Sequence, residues 1–514
     1  MNSNPQPSLP RGDYRLEDAL QARSGRIFLT GTQALVRLPL MQRQRDIDAG
    51  LDTAGFISGY RGSPLGAYDQ ALWRAGAQLA AANIHFLPAI NEEAGATAVL
   101  GSQQVESDPQ RTVTGVFALW YGKGPGVDRA ADALHHGNAY GSSPTGGVLV
   151  VAGDDHGCVS SSMPHQSDFV MQAWGMPVVN PANVAEMLEF GLYGWALSRY
   201  SGAWVGFKAI SETVESAMTV DLDAIKLNFT APEGFDAPPG GLHFRPNDTP
   251  SPAIELRLAA KLDAVRLFAR TNSIDKLVCP SPTADIGIVT CGKAHFDLME
   301  TFRRLGLTLA ELDAQGVRIY KVGLSFPLAT GRIDEFCAGL KEVLVIEEKG
   351  AVVEQQLRTL FYNRPEAQRP CIIGKTDGEG KPLLAATGEL RPSRVMPVVA
   401  NWLAGHKPVL DRRNRVVDFT APAVLSNCAD GVKRIPYFCS GCPHNTSTRV
   451  PEGSLASPGI GCHYMASWMD RDTAGAIHMG GEGVDWAAHS LFTRRRHMFQ
   501  NLGDGTYFHS GILA

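Results

Sequence analysis

From Gly25 to about Thr230 the chain alternates short apolar runs with longer segments whose apolar positions recur every three to four residues. Thr53 to Ile57, Val113 to Tyr121, Gly147 to Ala152 and Ala203 to Ile210 are predicted strands. Such alternation argues for a parallel sheet covered on both faces by helices, with ligands at the carboxyl ends of the strands. The unusual residues lie there: Ser58 to Gly66 follows the first strand, and Asp154-Asp155-His156 follows Val148 to Val151. Asn91-Glu92-Glu93 opens a helix rich in small residues, with both acids in the first turn where the helix dipole favours them. The proline-bearing stretch Ala231 to Pro252 has linker composition. Beyond it Ile254, Leu258, Leu262, Val265 and Phe268 form the apolar stripe of an amphipathic helix.

A second α/β pattern runs from Asp285 to about Phe361: strand Ile286 to Thr290, helix Ala294 to Leu305, strand Val317 to Val322, helix Ile333 to Leu340 and strand Val343 to Ile346. Asn363 to Leu384 reads as a further linker. The predicted plan is an N-terminal arm (1–24), a first α/β domain (25–250), a second (251–365), a linker region (366–430) and a final part-domain (431–514). A chain of 514 residues suggests about three or four domains.

Composition narrows the function classes. Hydrophobic residues make up 44% and charged residues 19%, which is ordinary for a packed globular protein. The 47 basic residues against 52 acidic ones give a net charge of -5, with no signature for binding nucleic acid. No apolar run of about eighteen residues suggests a membrane span. Met1 to Gly50 holds no charged-then-apolar leader, so the expectation is a cytoplasmic protein with reduced thiols.

The densest chemistry lies between Tyr437 and Gly511. Cys439-Ser440-Gly441-Cys442 lets two thiolates converge on one metal or cluster, and Cys462 supplies a third sulfur. By cysteine pattern alone, a structural zinc site with His444 or His463 remains open, whereas a disulfide is disfavoured. Gly480-Gly481-Glu482-Gly483 follows, then Gly503-Asp504-Gly505. In the latter, the glycines let a phosphate approach the backbone and the carboxylate offers Mg²⁺ a hard oxygen. Gly374-Lys375-Thr376 lacks the leading glycine of a P-loop, and Gly122-x-Gly124 and Gly481-x-Gly483 lack the third glycine of a dinucleotide fingerprint. Nicotinamide binding is therefore not supported. The loops Gly122 to Asp128 and Ser160 to Asp168 would rim the first cleft, with His156 and His165 as candidates for substrate contact.

These phrases together resemble the 2-oxoacid:ferredoxin oxidoreductases, most closely the fused-chain indolepyruvate ferredoxin oxidoreductases. Ser58-Gly59-Tyr60-Arg61-Gly62-Ser63-Pro64-Leu65-Gly66, Gly153-Asp154-Asp155-His156-Gly157-Cys158, Cys439 to Asn445 and Gly503 to Gly511 carry the match, which covers about residues 25 to 514. The resemblance implies several doubly wound parallel-sheet domains of the thiamine-diphosphate-enzyme type, the last incomplete. Residues 251–365 would be a transketolase-C-terminal-like domain. It implies thiamine diphosphate and Mg²⁺ held with the help of Gly480, Gly481, Glu482, Gly503, Asp504 and Gly505, and a [4Fe-4S] cluster on Cys439, Cys442 and Cys462.

Glu92 would protonate the aminopyrimidine ring. Counting back from Gly101, a glycine the related enzymes also place in this helix, selects it over Glu93. Ser63 would lie near the thiamine ring, and Arg61 would anchor the 2-oxoacid carboxylate. The implied reaction is oxidative decarboxylation of indolepyruvate or another aryl pyruvate to an acyl-coenzyme A, with electrons passing to ferredoxin, in a homo-oligomer. A non-oxidative thiamine-dependent decarboxylase and a silent scaffold with structural zinc are the alternatives.

In the family the fourth cysteine and a second Mg²⁺ ligand lie farther along than this sequence extends, although Cys428 is nearby. The expectation is an N-terminal piece of a longer enzyme, with Tyr437 to Ala514 poorly ordered unless a partner chain completes it.

Overall fold

A computed structural model describes residues 14–245, 251–416 and 437–514. Cys428, most of the N-terminal arm and the end of the predicted linker region lie outside the described residues. The chain divides into two compact units, Met1–Asp418 and Phe419–Ala514.

In the first half of the first unit the strands are β1 (Arg26–Thr30), β2 (Thr53–Gly59), β3 (Ile84–Pro88), β4 (Gly115–Lys123), β5 (Val148–Gly153), β6 (Val178–Val179), β7 (Val205–Lys208) and β8 (Ala217–Asp221). Its second half adds β9 (Lys276–Cys279), β10 (Ile286–Cys291), β11 (Val317–Val322), β12 (Leu324–Phe326), β13 (Glu342–Ile346) and β14 (Cys371–Ile373). A seven-stranded sheet in the order β12-β6-β7-β5-β4-β2-β3 is parallel apart from β12, and a five-stranded sheet in the order β14-β13-β10-β11-β9 is parallel apart from β9. Largely apolar runs bury β5 and β10 along their whole length, as in a strand covered on both faces, and β11 is buried throughout although it carries Arg318 and Lys321. The expected mixed α/β fold with parallel sheets is present, and the predicted strands fall within about two residues of the observed ones, the usual scatter at element ends.

Three features depart from the sequence reading. First, β12 leaves the second half of the unit to pair with β6, so the two sheets share a strand connection. Second, the stretch read as linker contributes β14, parallel to β13, and a helix Pro392–His406 whose Val395, Met396, Val399 and Leu403 are buried in the same cluster as Ile288 and Ile319. Three residues are too few to show a period, and Pro397 inside the helix disguised it. Third, the helix Ala253–Thr271 is present and buries Val265 and Phe268 of the predicted stripe, but Ile254, Leu258 and Leu262 are only half-buried and Arg257 and Lys261 are buried beside them. Their side chains donate to the carbonyls of Asn138, Ala139 and Tyr140. These carbonyls end the helix Ala131–Tyr140, where backbone acceptors have no partner of their own.

The second unit has shorter elements: β15 (Ala456–Ser457) pairs in parallel with β16 (Phe499–Gln500), and short helical turns surround them. No helix among the described residues is long and apolar enough to cross a membrane.

Candidate functional site

At the carboxyl edge of the seven-stranded sheet, the end of β4 and the loops after β2, β3 and β5 bring the sequence-marked residues of the first unit together. Asn91 caps the helix Glu92–Gln104 by accepting the Ala94 N–H at 2.8 Å. This fixes the first turn so that Glu92 is buried and Glu93 is exposed. Trp120 Nε1 donates to the Glu92 carbonyl at 3.0 Å, tying the turn to β4. The Glu92 side chain lies on Gly126: a Cβ there would stand 2.6 Å from Glu92 Cγ and 2.7 Å from Oε1. Glycine is therefore required at 126 for the carboxylate to occupy this place.

The Ser58–Gly66 loop runs alongside. Ser58 Oγ donates to the Leu87 carbonyl at 2.8 Å, Ser63 is half-buried before a cis bond to Pro64, and Arg61 is exposed. Arg61 acts on Asp69 and Tyr121, which share a 2.6 Å hydrogen bond. Burial raises the Asp69 carboxyl, and the Tyr121 hydroxyl and Arg61 oppose it.

The two histidines have different settings. The His165 ring lies over Gly124, with Nε2 2.8 Å from Asp128 and Nδ1 3.5 Å from Asp154. Burial pushes its pKa down, yet Asp128 and Asp154 together raise it to about 9. Asp154 is fully buried, which alone would raise its carboxyl; His165, Lys208 and the Ser167 N–H at 2.9 Å instead hold it well below the usual range. Lys208 also pairs with Asp168. His156 is only 2% exposed and faces Glu348 across 3.7 Å. Glu348 also takes Lys293 at 2.9 Å and the Leu390 N–H at 2.9 Å, which draws the loop after β13 onto the first sheet. Both histidines thus brace the fold behind the sheet edge instead of lining an open rim.

Sequence reasoning passed over Lys123, the last residue of β4 and the one position of that strand not fully buried. Its chain lies across Gly62, where a Cβ would come within 2.8 Å of Lys123 Cδ, and its ammonium donates to the Ser160 carbonyl at 3.2 Å. The loop it reaches is held by Asp155, which accepts the Val159 and Ser160 N–H groups and the Ser161 hydroxyl, each at 2.9 Å. Burial lowers the Lys123 pKa, and Asp155, Cys158 and Glu92 partly offset it. A basic residue closing an otherwise apolar strand, just before a glycine pair, was the available signal.

In the second unit, Cys439 and Cys442 share one turn: the Cys442 N–H donates to the Cys439 carbonyl at 3.0 Å, with Gly441 at φ +75° between them. Cys442 Sγ is 2.9 Å from His444 Nδ1, and the His444 and His463 rings lie 4.4 Å apart. Cys462 is exposed at the start of its own turn. Among the described residues no three His, Cys, Asp or Glu side chains gather around one point, so Cys439, Cys442 and Cys462 are not brought together as a cluster would need, and no group of three such side chains forms around Asp504. Buried Glu482 accepts the Gly480 N–H at 2.6 Å and reaches the Ile460 N–H at 3.4 Å, which braces its glycine turn. Exposed Asp504 opens the short helix Asp504–Thr506, with Asn501 to Gly503 between it and β16. By contrast the buried Glu92, held at a sheet edge by a glycine, fits a group that must share a proton with a bound heterocycle.

Residues 276–417 match the indolepyruvate oxidoreductase domain model. The indolepyruvate oxidoreductase subunit IorA of Methanothermobacter thermautotrophicus is 23% identical over 513 residues, covering 97% of this chain and 74% of the relative. The IorA of Archaeoglobus fulgidus is 25% identical over 97% of this chain and 73% of its own length. Among solved structures, 2-oxoglutarate:ferredoxin oxidoreductase from Magnetococcus marinus, with 2-oxoglutarate, coenzyme A and succinyl-CoA bound, shares the fold at a TM-score of 0.50 and 16% identity. That likeness spans 74% of this chain and 65% of the other.

Proposed function

We propose that this chain is an oxidoreductase of the indolepyruvate oxidoreductase family, to which it is similar, and that it takes part in the thiamine-diphosphate-dependent oxidative decarboxylation of an aryl 2-oxoacid, with indolepyruvate as the leading candidate. The burial of Glu92 at the carboxyl edge of the sheet, beside exposed Glu93, carries this reading. When bound, thiamine diphosphate supplies a nucleophilic carbon and an electron sink, chemistry that no side chain provides. Glu92 holds or releases a proton at its carboxylate, and its seat on Gly126 fixes where that proton is offered. Burial keeps water from the carboxylate and would strengthen a hydrogen bond that it makes to a bound heterocycle. Ser63 borders the same edge on the Ser58–Gly66 loop. Gly503, Asp504 and Gly505 offer an approach for a diphosphate, with the Asp504 oxygens facing solvent. Coenzyme A as acyl acceptor and ferredoxin as electron acceptor complete the proposed reaction, supported by the relatives' family and by what the Magnetococcus enzyme is named for and holds. No electron path is built through Cys439, Cys442 and Cys462.

The test is Glu92→Gln against Glu93→Gln in 2-oxoacid-dependent viologen reduction, with thiamine diphosphate binding measured alongside. Glu92→Gln should slow turnover by about 10²–10⁴ while leaving cofactor affinity near wild type. A larger loss in Glu93→Gln would refute the assignment.

A further inference from the structure

Resting on the 2-oxoacid reading above, we propose that Lys123, not Arg61, is the side chain that receives the substrate carboxylate and sets the preference for a charged 2-oxoacid. Four observations on the fold lead there. Lys123 ends β4 at the carboxyl edge of the parallel sheet, in register with Gly153 of β5, so its side chain leaves the sheet where ligands of such folds sit. Its carbon chain is laid on Gly62 of the Ser58–Gly66 loop, as Glu92 is laid on Gly126, so glycines hold both polar groups at one edge. An ammonium has three N–H directions; this one is given the Ser160 carbonyl at 3.2 Å, and among the described residues no carboxylate comes within 4.0 Å of it. Arg61 instead is exposed, and its charge acts on the Asp69 and Tyr121 pair.

The local charge balance gives the lysine its purpose. The carboxylates that act on Lys123 are Asp155 and Glu92, and Asp155 is itself taken up by the Val159 and Ser160 N–H groups and the Ser161 hydroxyl. A partly desolvated ammonium without a close ion partner is the complement of a carboxylate, and their hydrogen bond is of the strong, charge-assisted kind. The competing explanation is a strut, in which Lys123 serves only to hold the Asp155–Ser161 loop through Ser160. Loop support needs no charge on the ligand, and this separates the two.

The experiment measures binding by calorimetry, and turnover, on the full-length enzyme carrying thiamine diphosphate. It uses phenylpyruvate and its uncharged methyl ester as probes, and the variants Lys123→Met, Lys123→Arg and Arg61→Met. Lys123→Met should weaken the acid by about 10- to 100-fold, the worth of one hydrogen bond to a charged group. The ester should change little, Lys123→Arg should keep a substantial part of the acid affinity, and Arg61→Met should stay near wild type. Amide exchange in residues 155–161 supplies a structural readout. Acid affinity unchanged in Lys123→Met overturns the proposal. So does an equal loss for acid and ester accompanied by faster exchange in that loop, and so does a selective loss in Arg61→Met. If the wild-type enzyme binds neither probe and reduces no viologen with indolepyruvate, the 2-oxoacid reading fails and the assignment of Lys123 falls with it.

Discussion

Buried charges around the sheet edge come in groups whose members set each other's protonation. His165 is the clearest, since Asp128 and Asp154 raise it from the ordinary 6.5 to about 9 against the opposing effect of burial. A group whose folded pKa exceeds its unfolded one stabilises the fold fully below the unfolded value, and that contribution is lost as pH rises through the folded value. The window is thus about pH 6.5 to 9. The groups facing the ring are Asp128, Asp154 and, beyond Asp154, Lys208, whose own pKa is raised by Asp168 and Asp154 despite burial, so Lys208 does not titrate in this window. His165→Gln should lower the melting temperature at pH 6.5 and flatten the fall in stability between pH 6.5 and 9, with wild type and variant converging above pH 9. Differential scanning calorimetry across this range checks it. Parallel curves would mean that the imidazole is neutral in the fold.

At the scale of elements, the helix Pro392–His406 shows what the sequence hid. Its Leu403 is fully buried against the five-stranded sheet, and Trp402 Nε1 donates to Glu342 at 2.6 Å. If this helix is core, Leu403→Ala should cost about 2–5 kcal/mol in denaturant unfolding, as cavity-forming substitutions do, whereas a linker residue would cost almost nothing. Strands β4, β5 and β10 were legible because a strand buried on both faces is largely apolar, and such runs admit few other readings, while β11 was legible from Val317, Ile319 and Val322 despite its Arg318 and Lys321. The helix opening at Glu92 was legible from Asn91, whose side chain caps it. Not legible were β12 and β14, whose three residues each gain their place from a neighbouring strand and not from any period of their own. The buried face of Ala253–Thr271 was misjudged for another reason: Arg257 and Lys261 point inward to another helix's end carbonyls, a demand that exists only once the chain is folded. The same holds at the site. Glu92 could be chosen by helix register, but Lys123 is one lysine among many until β4 sets it beside the Ser58–Gly66 loop.

Across the first unit, the two sheets are joined by charge as well as by apolar packing. The carboxylate of Glu348 meets Lys293 at 2.9 Å and His156 at 3.7 Å, while Lys349 Nζ donates to the His156 carbonyl at 3.0 Å and the Gly350 N–H to Gln166 Oε1 at 2.9 Å. Burial would raise the Glu348 carboxyl, but His156 and Lys293 hold it at about 2 against the ordinary 4.5. Because the folded pKa is depressed, the ionised form is the one the fold favours. Its contribution is complete above pH 4.5 and disappears as pH falls toward 2. Replacing this residue by glutamine removes the carboxylate that faces His156 and leaves Lys293 with Asp297, at 2.9 Å, as its remaining partner, so the cost should fall below the about 3–5 kcal/mol of a wholly broken buried pair. That loss sits at the joint and not within either sheet, so it should appear as lost cooperation between the halves. Wild type should unfold in one transition of the first unit at neutral pH. Glu348→Gln should show two, with Trp120 and Trp195 of the first sheet and Trp402 of the second reporting different guanidinium midpoints, each followed by keeping one of these tryptophans in turn. The variant should also lose less stability than wild type as pH falls from 4.5 toward 2, the remaining loss coming from other depressed carboxylates such as Asp154. A single transition with an unchanged midpoint would show instead that β12 and the apolar clusters suffice to couple the two sheets.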